Sequence, residues 1–244
     1  MNAFILKKFL FIIVLLFRFC IQAKAQTNYV GTWNVLNTEY AINNKVSVWA
    51  EGQLRSQKFI NDFYYHEVKT GVNIRPNKSF GILIGMGQYA TYSNGGNFKT
   101  PVISHEFRLW EQFTLVNNIG KVKIEHRYRI EQRWRNDEYR NRFRYRLNPI
   151  IPINKKSIQN HTLFVTLYDE IFITNQPSYF ERNRFFIGAG YKFSEALAAQ
   201  TGYIYQFDYK INDETGKAFF NLALLYTIDL SKKSKDDFHP TTND

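Results

Sequence analysis

The sequence predicts an all-β protein, an antiparallel, up-and-down transmembrane β-barrel of ten or twelve strands. Three observations predict it. From 121 to 151 the chain alternates ionic residues with apolar or aromatic ones through two successive segments. Residues 1–25 read as a secretory signal. The segments that follow are joined by connections that alternate between compact and longer, more polar ones.

The N-terminus comes first. Lys7-Lys8 supply a positive n-region, Phe9 to Phe17 an apolar core, and Ala23-Lys24-Ala25 an A-x-A cleavage site. The apolar run is too short, and Arg18 follows too closely, for a spanning helix of about 20 residues. Cys20 is the only cysteine. Arg18-Phe19 precede it, where a lipoprotein acceptor wants small residues, so it leaves with the signal. Without disulfides, the fold must rest on a large core or a closed hydrogen-bonded sheet. The expected organisation is a signal over 1–25, a barrel over 26–230 and a polar tail over 231–244.

Loss of Lys7, Lys8, Arg18 and Lys24 lowers the formal charge from +11 to +7. A basic chain can bind nucleic acid or anionic lipid. Here much of the surplus sits on alternate positions of two strands, which points to a lumen. The chain has no Gly-rich phosphate loop, zinc-type Cys/His spacing or RNA-binding aromatic signature, so no nucleic acid, metal or cofactor is expected.

Eleven strand candidates follow in order: 30–40, 45–55, 63–74, 80–92, 102–116, 121–134, 138–151, 161–174, 182–193, 197–207 and 217–230. Strand side chains alternate between faces. In the second candidate Val46, Val48, Ala50 and Leu54 oppose Ser47, Glu51, Gln53 and Arg55. In the third, Glu67 shares a face with Lys69. In the fifth, Glu106, Arg108 and Gln112 face away from Phe107, Leu109 and Phe113. The sixth sets Glu125, Arg127, Arg129, Glu131 and Arg133 against Ile124, His126, Tyr128, Ile130, Gln132 and Trp134. The seventh sets Arg140, Arg142, Arg144, Arg146 and Asn148 against Asn141, Phe143, Tyr145, Leu147 and Pro149. In the eighth, Glu170 shares a face with Thr166 and Tyr168. The ninth opposes Arg184, Gly188, Gly190 and Lys192 to Phe185, Ile187, Ala189, Tyr191 and Phe193.

Many candidates reach the roughly 9–11 residues of a tilted membrane strand, beyond the 5–6 usual in soluble sheets. Compact turns are expected near Asn43-Asn44, Pro76-Asn77, Asn117-Asn118, Asn154-Lys155 and Ser194-Glu195, and longer loops at 56–62, 93–101, 135–137, 175–181 and 208–216. Transmembrane barrels alternate in this way, with the longer loops outside. Aromatics gather toward both ends as two girdles: Tyr64, Tyr65, Tyr89, Tyr92, Trp134, Tyr139, Phe172, Phe207, Phe219 and Phe220 at the outer, Tyr40, Phe80, Phe113, Tyr191, Phe193 and Tyr226 at the inner. Eleven candidates conflict with the even strand number of bacterial barrels. The expectation of ten or twelve therefore treats 30–40 as irregular, or one strand as missed or wrongly split.

The inward face is the candidate site: Arg127, Arg129, Arg133, Arg140, Arg142, Arg144 and Arg146 with Glu106, Glu125, Glu131 and Glu170. If Arg133 lies opposite Arg140, then Glu131 faces Arg142 and Arg129 faces Arg144. Shifted by two, Glu131 faces Arg140 and Glu125 faces Arg146. Like charges meet in either register, so Glu106 and Glu170 from neighbouring strands must help. The network is read as a structural filler of a narrow lumen, or else as an anion site or anion-preferring pore. Competing classes are a soluble periplasmic barrel binding an anionic ligand and an outer-membrane enzyme. The enzyme reading is weak. His66-Glu67 and His105-Glu106 are neighbours that face opposite sides, His126 lies on the apolar face, and no nucleophile motif appears.

Several strings resemble a family of secreted Gram-negative proteins known as a domain of unknown function and taken as outer-membrane β-barrels. They are His105-Glu106-Phe107-Arg108-Leu109-Trp110-Glu111-Gln112, Arg129-Ile130-Glu131-Gln132-Arg133-Trp134, Tyr168-Asp169-Glu170-Ile171-Phe172, and Asn183-Arg184 with Gly188-Ala189-Gly190-Tyr191-Lys192-Phe193. The resemblance covers roughly 30 to 230. It implies a barrel in the bacterial outer membrane and brings no catalytic residue. That location makes outer-membrane lipid, lipopolysaccharide and the barrel assembly machinery the expected partners, with an anionic small solute as a further one. The polar tail after Leu230 departs from the terminal aromatic of many such barrels, and Ala218-Phe219-Phe220 through Tyr226 is expected to serve as the last strand.

Overall fold

Every one of the eleven alternating segments forms a strand in the computed structural model, which describes residues 30–136, 138–209 and 214–229. They are β1 (Gly31–Ala41), β2 (Val46–Lys58), β3 (Asn61–Asn77), β4 (Phe80–Tyr92), β5 (Val102–Ile119), β6 (Val122–Arg135), β7 (Glu138–Pro152), β8 (Thr162–Thr174), β9 (Phe180–Lys192), β10 (Leu197–Asp208) and β11 (Thr215–Asp229). The signal segment with Cys20 and the polar tail lie outside the described residues.

The strands close into one barrel in sequence order. The count is eleven, and not ten or twelve. Successive neighbours are antiparallel, so an odd number leaves the first and last strands pointing the same way. β1 and β11 accordingly pair in parallel, from Gly31 beside Phe219 to Ala41 beside Asp229. The 30–40 segment is thus an ordinary wall strand, and the even-number rule does not apply to this chain. Closure leaves no sheet edge unpaired. Side chains also hold the seam: the Asn221 amide donates to the Trp33 carbonyl at 3.0 Å, and Trp33 meets Phe219 edge-on at 5.5 Å.

Odd-numbered strands begin at one mouth, termed upper here, and even-numbered strands at the lower one. The upper connections are 59–60, 93–101, 136–137, 175–179 and 209–214, and the lower ones 42–45, 78–79, 120–121, 153–161 and 193–196. The expected contrast in length is therefore largely lost. β2 and β3 run on to a two-residue turn where a longer loop was expected. The connection at Asn154-Lys155 is nine residues long instead of compact. Ile60 and Asn136 take positive φ (both 50°), which two-residue hairpin turns favour.

Three β-bulges lie near the upper mouth, where the register slips by one residue at Tyr64, Ile103 and Glu181. An extra residue re-aims its neighbours. That effect shapes the site described below.

The interior is packed. Trp33, Tyr168, Phe186, Ile204 and Phe219 form one apolar cluster, and Trp49, Leu83 and Trp110 a second. Four of the aromatics expected in the upper girdle belong to this interior by register, Tyr65, Tyr89, Phe172 and Phe219, and a fifth, Tyr64, packs against the first cluster. Tyr89, Phe172 and Phe219 are buried, and Tyr65 turns its hydroxyl to the buried Glu67. They sit on the inward register of their strands. Trp134, Tyr139 and Phe220 face out as expected, and so do Tyr40, Phe193 and Tyr226 below.

Glycine makes room for the second cluster. A Cβ on Gly85 would stand 2.4–2.7 Å from the Trp110 indole, which is itself held edge-on against Trp49 at 6.3 Å. Both indoles are buried, so neither can retreat. Gly85→Ala is expected to lose about 1–3 kcal/mol of stability through overpacking. Gly52→Ala, where nothing lies within 4 Å, should be neutral. Urea unfolding of the two variants checks the difference.

Candidate functional site

β6 and β7 pair in the first of the two registers considered. Arg133 lies opposite Arg140, Glu131 opposite Arg142, Arg129 opposite Arg144, and Arg127 opposite Arg146. Glu125 lies opposite Asn148, not Arg146. Three pairs therefore set cation against cation, which is unfavourable unless carboxylates reach in from elsewhere. Carboxylates from three other strands do so.

Glu170 of β8 takes the deepest cluster. Its carboxylate meets Arg127 Nη2 at 2.5 Å, Arg144 Nη2 at 2.9 Å, Arg146 Nη2 at 2.7 Å and Arg184 Nη1 at 3.6 Å. Glu131 of β6 meets Arg142 Nη2 at 2.5 Å, Arg144 Nη1 at 2.7 Å and Arg129 Nη1 at 3.4 Å. Both carboxylates are inaccessible to water. Arg129 also donates through Nε and Nη2 to the Gln112 carbonyl, at 2.9 and 2.6 Å. Glu106 of β5 accepts from Arg108 Nε at 2.8 Å and Nη2 at 2.9 Å, and bridges to Arg133. Glu125 lies lower, against Lys123 at 2.8 Å and the Asn148 amide at 3.2 Å. Arg140 lies at the rim, its guanidinium 3.5 Å from Glu181.

Glu181 is the residue that the alternation hides. In strict period two it shares the outward face with Phe185 and Ile187. The bulge at Glu181 places it and Arg182 together opposite one step of β8, and its carboxylate turns inward. There it accepts from Arg133 Nη1 at 3.0 and 3.1 Å and from Arg142 Nη1 at 3.0 Å. Arg182, expected to open its strand, and Asp208, expected in the loop 208–216, have no role in the sequence pattern and bridge each other beside it. The only trace in the sequence is an adjacent Glu-Arg pair at the head of an otherwise alternating strand.

A second network lies across the lumen. Lys69 Nζ sits 2.5 Å from Glu51 and 2.7 Å from Glu67, and Arg55 Nη2 sits 3.2 Å from Glu67. Glu67 and Lys69 share a face, as expected. Arginines also lie over rings: Arg55 over Trp33 at 3.3 Å, Arg108 over Tyr89 at 3.6 Å and Arg146 over Tyr168 at 3.9 Å. Such contacts gain strength where water is excluded. Charge and ring thus interleave through the middle of the barrel.

His66, His105 and His126 stay outside this network. Glu67 and Glu106 are buried inside while His66 and His105 lie on the outer face. His126 Nδ1 lies 2.9 Å from the Tyr145 hydroxyl, also on the outer face. No His–carboxylate dyad forms among these pairs.

Above the network the upper mouth opens into a cavity of about 580 Å³. At the lower mouth, a cavity of about 50 Å³ lies among Glu39, Arg75, Glu125 and Arg127. Between them stand side chains that no water-sized sphere touches, among them Glu131, Glu170, Phe164 and Phe172. Such a lumen can hold charge at its mouths but is filled across its middle.

The sequence model of one protein family, described as a protein of unknown function (DUF2490), matches residues 30–217. The chain belongs to this family. The DUF2490 span takes in β1 to β10 and the first residues of β11, and with them both ionic networks, Glu181 and Asp208. No curated protein and no solved structure matches the chain.

Proposed function

We propose that this DUF2490 chain is an outer-membrane β-barrel whose lumen is closed by an arginine–glutamate–aromatic network, and which serves as a rigid wall element and not as an open pore. The observation that carries the reading is the outward face. Each strand contributes exposed apolar side chains to it, such as Leu36 of β1, Val68 of β3, Ile84 of β4, Ile130 of β6, Ile187 of β9 and Leu224 of β11. An apolar belt around a whole barrel far exceeds the few hundred Å² that soluble monomers expose. A closed sheet satisfies its own backbone, as a bilayer demands. The filled lumen supports the structural reading of the arginines over a conducting one.

A soluble periplasmic barrel is the second reading, favoured by two carboxylates on the outer face. Glu111 accepts from the Gln132 amide at 3.1 Å, and Asp169 from the Asn183 amide at 3.0 Å. In a bilayer these amides would be the partners that make two isolated acids tolerable.

Depth dependence separates the two. Ile130→Arg, near mid-height of β6, is expected to cost about 2–4 kcal/mol of folding free energy in vesicles, and Ile119→Arg at the lower rim about 0–1. Gln112, on the inner face, makes a poor comparison because it already accepts two bonds from Arg129. Equal costs at Ile130 and Ile119, measured by urea titration in lipid vesicles, would favour the soluble barrel.

A further inference from the structure

We infer that the cavity at the upper mouth is a binding site for a ligand that presents two or more phosphate groups. Nine arginines and Lys217 line it, against three carboxylates, Glu106, Glu181 and Asp208. All three carboxylates are already engaged: Glu106 by Arg108 and Arg133, Glu181 by Arg133, Arg140 and Arg142, and Asp208 by Arg182. Glu131 and Glu170 below serve six arginines between them, of which Arg142, Arg144 and Arg184 also line the cavity. The described lining therefore keeps a large positive excess.

Two of its guanidiniums are lightly held. The hydrogen bond of Arg135 is to a neutral partner, the Ser104 hydroxyl, at 2.9 Å. Arg140 reaches Glu181 only at 3.5 Å, with a quarter of its side chain exposed. They stand at the facing ends of β6 and β7, where Arg135 is paired with Glu138 and Arg133 directly opposes Arg140. An anion seated between them would relieve that repulsion and receive the planar forks that suit phosphate oxygens.

The size fits. A volume of about 580 Å³ is within the range of small-molecule sites, roughly 300–1,000 Å³. The floor is the packed Glu131–Glu170 network, so the ligand enters and leaves by the same mouth. Two sources share this chemistry, a soluble oligophosphate and the phosphorylated headgroup of an outer-leaflet glycolipid. The binding rests on the barrel alone, and only the lipid source rests on the outer-membrane reading.

Isothermal titration of the folded full-length protein in detergent with tripolyphosphate tests the site. One-to-one binding is expected, weakening as salt rises, with acetate giving no heat. The double variant Arg135→Gln/Arg140→Gln should bind tripolyphosphate more weakly, by about tenfold for each guanidinium removed. Lys155→Gln/Lys156→Gln carries the same charge change at the lower mouth and should bind like the wild type. No binding by the wild type, or equal loss in both double variants, overturns the proposal. Repeating the titration in nanodiscs with and without lipopolysaccharide separates the sources, since an occupied glycolipid site gives no tripolyphosphate heat. Because the detergent titration needs no bilayer, a soluble barrel that still binds would sink the membrane reading and leave this site standing.

Discussion

Glu170→Gln is expected to lower the folding stability of the barrel by about 3–5 kcal/mol, the cost of removing one partner from a buried ionic cluster. The carboxylate is inaccessible and lies within 4 Å of four arginines, Arg127, Arg144, Arg146 and Arg184. An amide keeps the shape and part of the hydrogen bonding but leaves those cations facing one another. Arg127 and Arg146, which face each other, would then lose the carboxylate they share, while Arg129 and the facing Arg144 would keep Glu131. Glu181→Gln, at the hydrated mouth with its side chain 15% exposed, should cost less. Urea unfolding of both variants in vesicles decides, and a Glu170→Gln barrel as stable as the wild type would show that the network carries no stability.

The second large effect is expected at Trp110. This indole is 1% exposed, packs edge-on to Trp49, and closes over Gly85. Trp110→Ala should cost about 3–5 kcal/mol, the range for large aromatic truncations in cores. It should also remove part of the packing across the lumen. In planar bilayers the wild type is expected to pass no discrete current steps, while the truncated barrel, where it folds, passes small ones. Large steps from the wild type would contradict the filled lumen.

These effects trace to features that differ in how plainly the sequence writes them. β6 and β7 are legible because Arg127 to Arg133 and Arg140 to Arg146 alternate without interruption, and period two then fixes the inward face. Glu106 and Glu170 are legible as the neighbouring acids for the same reason. Glu181 is not, because one inserted residue reverses the parity of everything before it, and alternation carries no mark of the insertion. Tyr64 illustrates the same loss: the bulge of β3 lets it pack against the Trp33 cluster while Tyr65 reaches Glu67. The strand number went astray for a different reason. Periodicity shows 30–40 as a strand, but whether a barrel closes in parallel depends on contacts between β1 and β11, nearly two hundred residues apart, of which the Asn221–Trp33 bond is one. Aromatics near strand ends misled as well. Phe172 and Phe219 have the composition of a girdle, yet the register of each strand sends them inward.

The closed outward belt and the ionic interior together make one demand on the medium. Diluted from urea into lipid vesicles, the protein should gain β-sheet circular dichroism and a protease-resistant core, and in lipid-free buffer at the same concentration it should gain neither. Vesicle-dependent folding is the result predicted here. The same protease-resistant β-sheet monomer forming in lipid-free buffer would contradict a membrane barrel.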